Sequence, residues 1–177
     1  SSDRTPLQVA RDLGLVTQRP PHWSPGPEDR ELLQNRIVIP EFREGEPIWF
    51  IGRSLDSERQ AAAGRKPRPK YLSLRGERPI LGLEHVVDQP SVYVVEGPFD
   101  WLAAVSWGLP AFAICGTHFP VDRLPALDAA IAIYGVFDPD RAGRSAAERF
   151  APQIGSRWRP VRLPNGLDLA ELAALGE

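Results

Sequence analysis

The sequence contains no methionine, a single cysteine (Cys115) and only three histidines in 177 residues. One cysteine excludes an internal disulfide and a cysteine-built zinc site within this chain, which indicates a reducing, cytoplasmic setting. No apolar run approaches the roughly 20 residues of a membrane-spanning helix, and the first residues lack an apolar signal-peptide core. We therefore expect a cytoplasmic protein without membrane contact. The absence of methionine even at position 1 predicts a processed or excised piece of a longer protein.

Hydrophobic residues make up 42% of the sequence, which is enough to bury a compact core. The net charge of -2 is unevenly distributed along it. Between residues 59 and 78, seven basic residues stand against one acid, whereas from residue 79 onwards seven basic residues stand against twelve acids. The first stretch could attract a polyanion, and the second could concentrate cations. Taken alone, the basic stretch could equally be a solvated loop.

The first 90 residues predict a lead-in followed by a small lobe. Residues 1–35 are rich in proline and polar side chains and predict a weakly ordered lead-in with one short helix. In residues 36–90, two apolar segments joined by a charged turn predict a hairpin at 36–40 and 47–55. A basic loop without regular structure should follow, until a short strand begins at Tyr71.

Residues 91–177 alternate between strand and helix patterns. Short, continuously apolar runs are typical of parallel strands covered on both faces. We therefore predict an α/β fold, a mostly parallel sheet flanked by helices, with a smaller N-terminal α+β lobe. The predicted strands are 92–95, 111–115, 130–137 and 158–164, and the predicted helices are 98–107 and 142–151.

Acidic residues follow two of the predicted parallel strands. Glu96 comes directly after one strand and Asp138 and Asp140 after another, while Asp100 lies one turn into a helix. Ligands of open parallel sheets bind at the carboxyl ends of the strands, where these acids would converge. Converging carboxylates repel one another unless they share protons or a cation, and their hard oxygens suit Mg²⁺ or Mn²⁺. The alternative for Asp-Pro-Asp alone is an ordinary turn or helix cap.

Two segments, "VVEGPFDWLAAVSWGLPAFAICGT" and "YGVFDPDRAGRSAAERF", resemble the TOPRIM domain of DnaG-type primases, topoisomerases and some nucleases. The signature of that domain is E-G followed by D-x-D. Upstream, "NRIVIPEF", "WFIGRSLD" and "PKYLSL" resemble, in order, the segment that precedes TOPRIM in DnaG-type primases. The resemblance covers about residues 35 to 171 and implies a TOPRIM fold with a primase-type N-terminal lobe.

The resemblance implies roles for individual acids. Asp100 matches the second acid of the E-G-x-x-D turn, and Asp168 matches the first acid of a later D-x-D whose second position is Ala170. One metal position is therefore expected to be altered. The metal-binding acids are expected to be Glu96, Asp138, Asp140 and Asp168. The expected catalytic residues are Glu96, Asp100, Asp138, Asp140 and Lys70.

The resemblance also implies contacts between basic residues and nucleotide or nucleic-acid phosphates. Arg53 and Lys70 match basic residues of the primase-type segment, and the lysine-glycine step expected near Arg78 is missing. The basic stretch could follow a template backbone without reading its sequence. The expected phosphate-binding residues are Arg36, Arg53, Arg65, Lys66, Arg68, Lys70, Arg78 and Arg141.

The implied function is primer synthesis on a single-stranded DNA template, by metal-dependent nucleotidyl transfer from nucleoside triphosphates. The primase zinc-binding domain and C-terminal regions are not recognised in this sequence, so a replicative helicase would be contacted through domains outside it. Two other functions stay open. The same acids could cleave phosphodiesters, as in TOPRIM nucleases, although the primase-like upstream segment argues against this. A non-catalytic nucleic-acid-binding or protein-interaction module is favoured slightly by the acid lost at Ala170 and opposed by the retained acids and Lys70.

Overall fold

A computed structural model describes residues 5–18, 29–64, 69–76, 78–116, 119 and 121–176. The chain divides into two compact units, Ser1–Arg78 and Pro79–Glu177. Within the described residues, no helix combines the length and apolar character needed to cross a membrane. The three-part division at residues 35 and 90 stays a prediction.

The lead-in has more structure than its composition predicts. Helix α1 (Pro6–Asp12) begins at a capping box, in which Thr5 Oγ1 accepts the Gln8 N–H at 3.3 Å and Gln8 Oε1 accepts the Thr5 N–H at 2.8 Å. Strand β1 (Val16–Gln18) then pairs antiparallel with β2 (Asp29–Glu31). The prediction of a weakly ordered lead-in is wrong for these strands, since three residues are too few to show a period-two pattern.

The rest of the first unit is a three-stranded antiparallel sheet in the order β3–β4–β5. The predicted hairpin is confirmed as β3 (Arg36–Arg43) and β4 (Glu46–Ser54). Strand β5 (Tyr71–Ser73) begins where it was predicted and pairs with β4. The prediction of a loop throughout the basic stretch is wrong at its start, where a short helix α2 (Ser57–Ala62) precedes the prolines.

The second unit is built on a four-stranded sheet that is parallel throughout, in the order β7–β6–β8–β9. This confirms the predicted α/β class, although most strands are shorter than the apolar runs that predicted them. Leu81 adds an antiparallel bridge to Ala113 at the β7 edge, which no sequence pattern indicated. The strands are β6 (Ser91–Val95), β7 (Ala111–Ala113), β8 (Ala132–Val136) and β9 (Trp158–Val161).

Helices and short 3₁₀ turns connect these strands. Helix α3 (Pro98–Ser106) follows β6 and begins at Pro98, and α4 (Arg141–Ile154) follows β8. Helix α5 (Leu169–Ala174) follows β9. The 3₁₀ turns are Leu83–Val86, Val121–Leu127, Gly155–Arg157 and Pro164–Gly166.

The core of the second unit packs α4 against one face of the parallel sheet. Phe112 on β7, Ile133 on β8 and Phe150 on α4 are all at most 2% exposed. Trp158 packs edge-on against Phe150 with ring centroids 5.4 Å apart. A Cβ at Gly135 would lie 2.0 Å from the Trp158 ring, so only glycine leaves room for the indole over β8. This packing holds the C-terminal half of α4 against β8 and β9.

Candidate active site

Three carboxylates converge at the carboxyl edge of the parallel sheet. Asp100, Asp138 and Asp168 each offer an oxygen, and these oxygens lie within 4.8 Å of one another. They come from the first turn of α3, the segment after β8 and the N-cap of α5. Neighbouring parallel strands end at the same edge, which is why acids so distant in sequence meet. Asp100 therefore joins Asp138 and Asp168 in what we call the carboxylate cluster.

Asp100 is the most enclosed acid of the cluster, with 9% of its surface exposed. Its Oδ2 accepts the Gly97 N–H at 3.2 Å and its Oδ1 accepts the Ala170 N–H at 3.1 Å, so the carboxylate ties the start of α3 to the start of α5. Burial is the main cause that raises the pKa of Asp100 to about 6, and the charges of Asp138 and Asp168 raise it further. The two N–H donors oppose that rise.

Glu96 lies beside the cluster and contacts it through the backbone. Its Oε1 accepts the N–H of Asp138 at 2.8 Å, which joins the segments that follow β6 and β8. Burial raises the pKa of Glu96 to about 7, and the negative charges of Asp138, Asp140 and Asp100 add to the rise. The hydrogen bond from Asp138 lowers it in part. Glu96 can therefore exchange a proton near neutral pH.

Asp140 caps helix α4. Its Oδ1 accepts the Gly143 N–H at 2.8 Å, as expected of an aspartate at an N-cap. Within the part of the chain that the structure describes, neither Asp140 nor Glu96 belongs to the group of three converging oxygens. The structure thus gives Asp140 the helix-cap contact that the sequence left open as an alternative, and its role as a metal ligand stays a prediction.

Asp168 is held by its own helix. Its Oδ1 accepts the Glu171 N–H at 2.6 Å while Glu171 Oε2 accepts the Asp168 N–H at 3.1 Å, which is a capping box. Ala170, where the resemblance expects a second acid, contributes its backbone N–H to Asp100 instead of a carboxylate. At the start of α5 the cluster therefore contains the carboxylate of Asp168 and the backbone N–H of Ala170.

Gly143 is a structural requirement of the site that the sequence analysis missed. A Cβ at this position would lie 2.2 Å from the Asp138 carbonyl oxygen and 2.3 Å from Glu96 Oε1. The first turn of α4 can approach the Glu96–Asp138 hydrogen bond only because residue 143 has no side chain. The available signal was a glycine in the first helical turn three residues after the capping aspartate, where alanine would favour the helix.

Three of the predicted phosphate-binding residues lie at one edge of the antiparallel sheet of the first unit, where β3 and β5 begin and β4 ends. Arg36 begins β3, Arg53 lies at the end of β4 and Lys70 immediately precedes β5, and the register pairs Arg53 with Tyr71. The Arg36 guanidinium donates to the Gly52 carbonyl at 3.1 Å and to the Pro69 carbonyl at 3.0 Å. We call Arg36, Arg53 and Lys70 the basic edge.

The predicted phosphate-binding residues differ in exposure and position. Lys70 is exposed, with its Nζ 5.8 Å from the centroid of the Tyr71 ring. Arg78 is exposed at the end of the first unit, and Arg141 is the first residue of α4. The phosphate contacts of all these residues stay predictions. Arg65, Lys66 and Arg68 lie outside the described residues.

The donor set of the cluster is that of a divalent-cation site. Its three members are carboxylates, whose hard oxygens are the ligands that Mg²⁺ and Mn²⁺ prefer. The raised pKa values of Asp100 and Glu96 arise from burial and mutual repulsion, and a bound cation would relieve the repulsion. The residues present therefore fit a divalent metal.

Comparison with known proteins supports the fold, and a family model matches part of the chain. Residues 93–173 match the Toprim-like family. A DNA primase of Synechococcus elongatus is 30% identical over an alignment of 190 positions, which covers 95% of this chain and 26% of that protein. A DNA primase domain from Pseudomonas aeruginosa superposes with a TM-score of 0.73 and 25% identity over 98% of this chain and 56% of that one. A DnaG primase catalytic domain bound to single-stranded DNA gives a TM-score of 0.69 and 25% identity, with 97% and 56% covered.

The chain thus spans about a quarter of the curated relative and just over half of each of these solved domains. The similarity includes both units, because the solved primase domains align with nearly all of the chain. Toprim-like primases use divalent metals, in agreement with the carboxylate cluster. Residues 93–173 match the Toprim-like family, and the chain as a whole has the fold of the DnaG primase catalytic core, which confirms the resemblance drawn from its sequence.

Proposed function

We propose that this chain is the catalytic core of a DnaG-type primase, which synthesises primers on a single-stranded DNA template from nucleoside triphosphates. The observation that carries the proposal is the carboxylate cluster of Asp100, Asp138 and Asp168, located at the carboxyl edge of the Toprim sheet. The primase-like fold of the upstream unit favours this activity over phosphodiester cleavage.

The carboxylates would hold Mg²⁺ or Mn²⁺ against the phosphates of the incoming nucleotide. A divalent cation there supplies charge stabilisation for the attacking and leaving oxygens of an in-line displacement. Asp138 and Asp168 are oriented for this by local backbone contacts, since Asp168 is fixed by its capping box and the Asp138 N–H is bonded to Glu96. The chain's own contribution is therefore a set of ligands whose positions are determined before substrate binds.

Glu96 is suited to receive the proton of the attacking 3′-hydroxyl. A general base works best when its pKa lies near the working pH, and burial raises the pKa of Glu96 to about 7 in the metal-free chain. Its Oε1 is occupied by the Asp138 N–H, so Oε2 is the atom that would take the proton. Asp100 has both oxygens bonded to backbone N–H groups and would act mainly by orienting the cluster.

Arg53 and Lys70 of the basic edge would bind phosphate groups of the nucleotide or template. A guanidinium can grip two phosphate oxygens at once, whereas a lysine ammonium acts as a point charge. Contact with a replicative helicase would be made by parts of longer relatives that this chain does not match.

One assay tests the proposal against both alternatives. The chain is incubated with a labelled single-stranded DNA template, nucleoside triphosphates and Mg²⁺ or Mn²⁺, and the products are resolved by length. Extension products that disappear in Asp138→Asn support a primase core. Shortened template would identify a nuclease. Neither product, from a chain that binds both template and metal, would indicate a non-catalytic module and contradict the proposal.

A further inference from the structure

The second unit contains a basic segment within an otherwise acidic region. Residues 141–162 hold six arginines and no lysine, against a single acid, Glu148. The local balance is +5, although the region from residue 79 onwards has a balance of -5. This concentration escaped the sequence analysis because the charge was counted over the whole C-terminal half.

Three of these arginines lie on the outer face of α4. Arg141, Arg144 and Arg149 are exposed, whereas Phe150 and Ile154 on the opposite face are buried in the core. At 3.6 residues per turn, positions 141, 144 and 149 fall within less than half of the helix circumference. We call these three residues the arginine face.

The charges of the arginine face are not neutralised by carboxylates. An Arg144 Nη donates to the Pro139 carbonyl between Asp138 and Asp140, and an Arg149 Nη donates to Ser145 Oγ at 2.7 Å. Across the described part of the chain, no carboxylate lies within ion-pair distance of any of the three. By contrast, the exposed Asp122 lies 3.5 Å from Arg123. The guanidiniums of Arg144 and Arg149 are thus oriented by neutral acceptors, which leaves their charge available for another partner.

The position of two of these arginines opposes the helix dipole. Arg141 and Arg144 stand at the N-terminal end of α4, where the macrodipole favours acids, and the last turn contains no basic residue. Apart from the capping Asp140, no acid offsets them in that turn. Local preferences that are broken in this way are expected where function requires a particular side chain.

We propose that the arginine face of α4 binds the phosphodiester backbone of a single nucleic-acid strand. The inference rests on the proposed primase function and extends it, since it gives the strand a path away from the carboxylate cluster. Arg144 donates to the carbonyl of Pro139, the residue that follows Asp138 of the cluster, so the arginine face begins at the same turn as the cluster. The path then continues along α4 to Arg149.

The dimensions of the arginine face suit a short run of nucleotides. Arg141 and Arg149 are eight residues apart, which is about 12 Å along a helix that rises 1.5 Å per residue. At the B-form rise of 3.4 Å per nucleotide of one strand, this distance corresponds to roughly three to four nucleotides. Contacts with phosphate alone carry no base specificity, so binding should be largely independent of sequence.

Binding of a fluorescent oligothymidylate to the full 177-residue chain tests the proposal. Anisotropy is measured from low salt to 1 M salt, in EDTA so that neither metal nor chemistry contributes. Each neutralised phosphate of a single strand contributes about -0.7 to the slope of log K against log [salt]. Arg149→Gln should make the slope shallower by about 0.7, and the triple Gln variant of the arginine face by about 2. The differences in affinity between these variants and the unmutated chain should disappear near 1 M salt.

Two further variants sharpen the measurement. Glu148→Gln removes the one acid among these residues and should tighten binding at low salt. Arg123→Gln, a neutralisation of the same size at an arginine already beside a carboxylate, should leave the slope unchanged. Thermal unfolding of each variant shows whether the fold is retained. Arg149→Gln leaves the hydrogen bonds of Asp140 and Arg144 at the start of α4 in place.

The result that would overturn the proposal is an unchanged salt slope in both Arg149→Gln and the triple variant. Tighter Mn²⁺ binding by the triple variant, without weaker DNA binding, would show that these arginines only offset the charge of the carboxylate cluster, and would also overturn the proposal. The outcome is separable from the proposed function. A chain that makes primers while its arginine variants bind DNA normally leaves the function standing, and arginine-dependent binding without synthesis leaves only this inference standing.

Discussion

The two sheets of this chain gather opposite charges at their edges. In the antiparallel sheet, the end of β4 lies between the starts of β3 and β5, and the basic edge of Arg36, Arg53 and Lys70 forms there. In the parallel sheet, the ends of β6, β8 and β9 all lie at one edge, and the carboxylate cluster forms beside it.

The difference follows from the backbone groups that each edge provides. Helices begin after the parallel strands, so unpaired N–H groups are available there, and Asp100 and Asp140 accept hydrogen bonds from them. The edge of the antiparallel sheet provides carbonyl oxygens instead, and Arg36 donates to those of Gly52 and Pro69. Backbone N–H groups thus orient carboxylates at the edge of the parallel sheet, and backbone carbonyls orient an arginine at the edge of the antiparallel sheet.

The largest expected effect comes from removing one acid of the cluster. Asp138→Asn should abolish Mn²⁺ binding and reduce primer synthesis by about a thousandfold, since a catalytic metal supplies several kcal/mol and each 1.4 kcal/mol is a factor of ten. Isothermal titration calorimetry and product formation measure the two effects.

The matched control for this variant is Asp140→Asn. Asparagine caps a helix as well as aspartate does, so α4 and metal binding should be retained if Asp140 only caps. Loss of Mn²⁺ affinity in Asp140→Asn would instead show that Asp140 is a ligand, as the resemblance implies.

Substitution in the basic edge should separate nucleotide binding from metal binding. Lys70→Ala should raise KM for nucleotides or reduce kcat/KM by about ten- to a hundredfold, the value of a lost charged hydrogen bond. Mn²⁺ affinity should stay unchanged, because the carboxylates lie in the other unit. Lys70→Arg should keep part of the activity, whereas Arg53→Lys should be costly if Arg53 is bidentate. Undiminished synthesis by Lys70→Ala would exclude this residue from the reaction.

A side chain at position 143 should disturb Glu96 and the carboxylate cluster by displacing the backbone at Asp138. The Cβ of Gly143→Ala would overlap the Asp138 carbonyl and Glu96 Oε1, so we expect a loss of about 1–3 kcal/mol in unfolding free energy, together with reduced synthesis. Urea denaturation gives the first value. Ala142→Ser, at the exposed preceding position, is the control and should change little. Full stability in Gly143→Ala would show that α4 can shift without cost.

The last prediction is a pH dependence of the stability of the metal-free chain. Because folding raises the pKa of Glu96 from 4.5 to about 7 and that of Asp100 from 3.8 to about 6, the folded state keeps protons that the unfolded state releases. Stability should therefore fall as pH rises from about 4 to 7, and the penalty is complete above pH 7. Urea midpoints in EDTA measure this, and Glu96→Gln should flatten the curve. Saturating Mn²⁺ should oppose the trend, since it binds the deprotonated acids.

The sequence indicated the parallel sheet and the edge where its acids meet, because apolar runs followed by acids are local patterns. It did not indicate which oxygens converge. Glu96 is turned toward the Asp138 N–H and Asp140 toward the Gly143 N–H, whereas Asp100 reaches the cluster from within α3. Such choices depend on helix orientation and on backbone donors from distant segments, which no spacing encodes.

The same limit explains the elements that were missed. The β1–β2 pair and helix α2 are too short to show a period. The bridge from Leu81 to Ala113 joins a segment without a strand pattern to the predicted strand β7. Only the longer strands and α3 and α4 contain enough residues for their apolar pattern to be read.

The hydrogen bond from the Ala170 N–H to Asp100 has an evolutionary consequence. Since the donor is main chain, the link between α3 and α5 does not depend on which side chain occupies position 170, and only proline would abolish it. An acid can therefore be lost or regained at this position without undocking α5. The number of carboxylates beside the cluster can therefore change at position 170 while the link between α3 and α5 is kept.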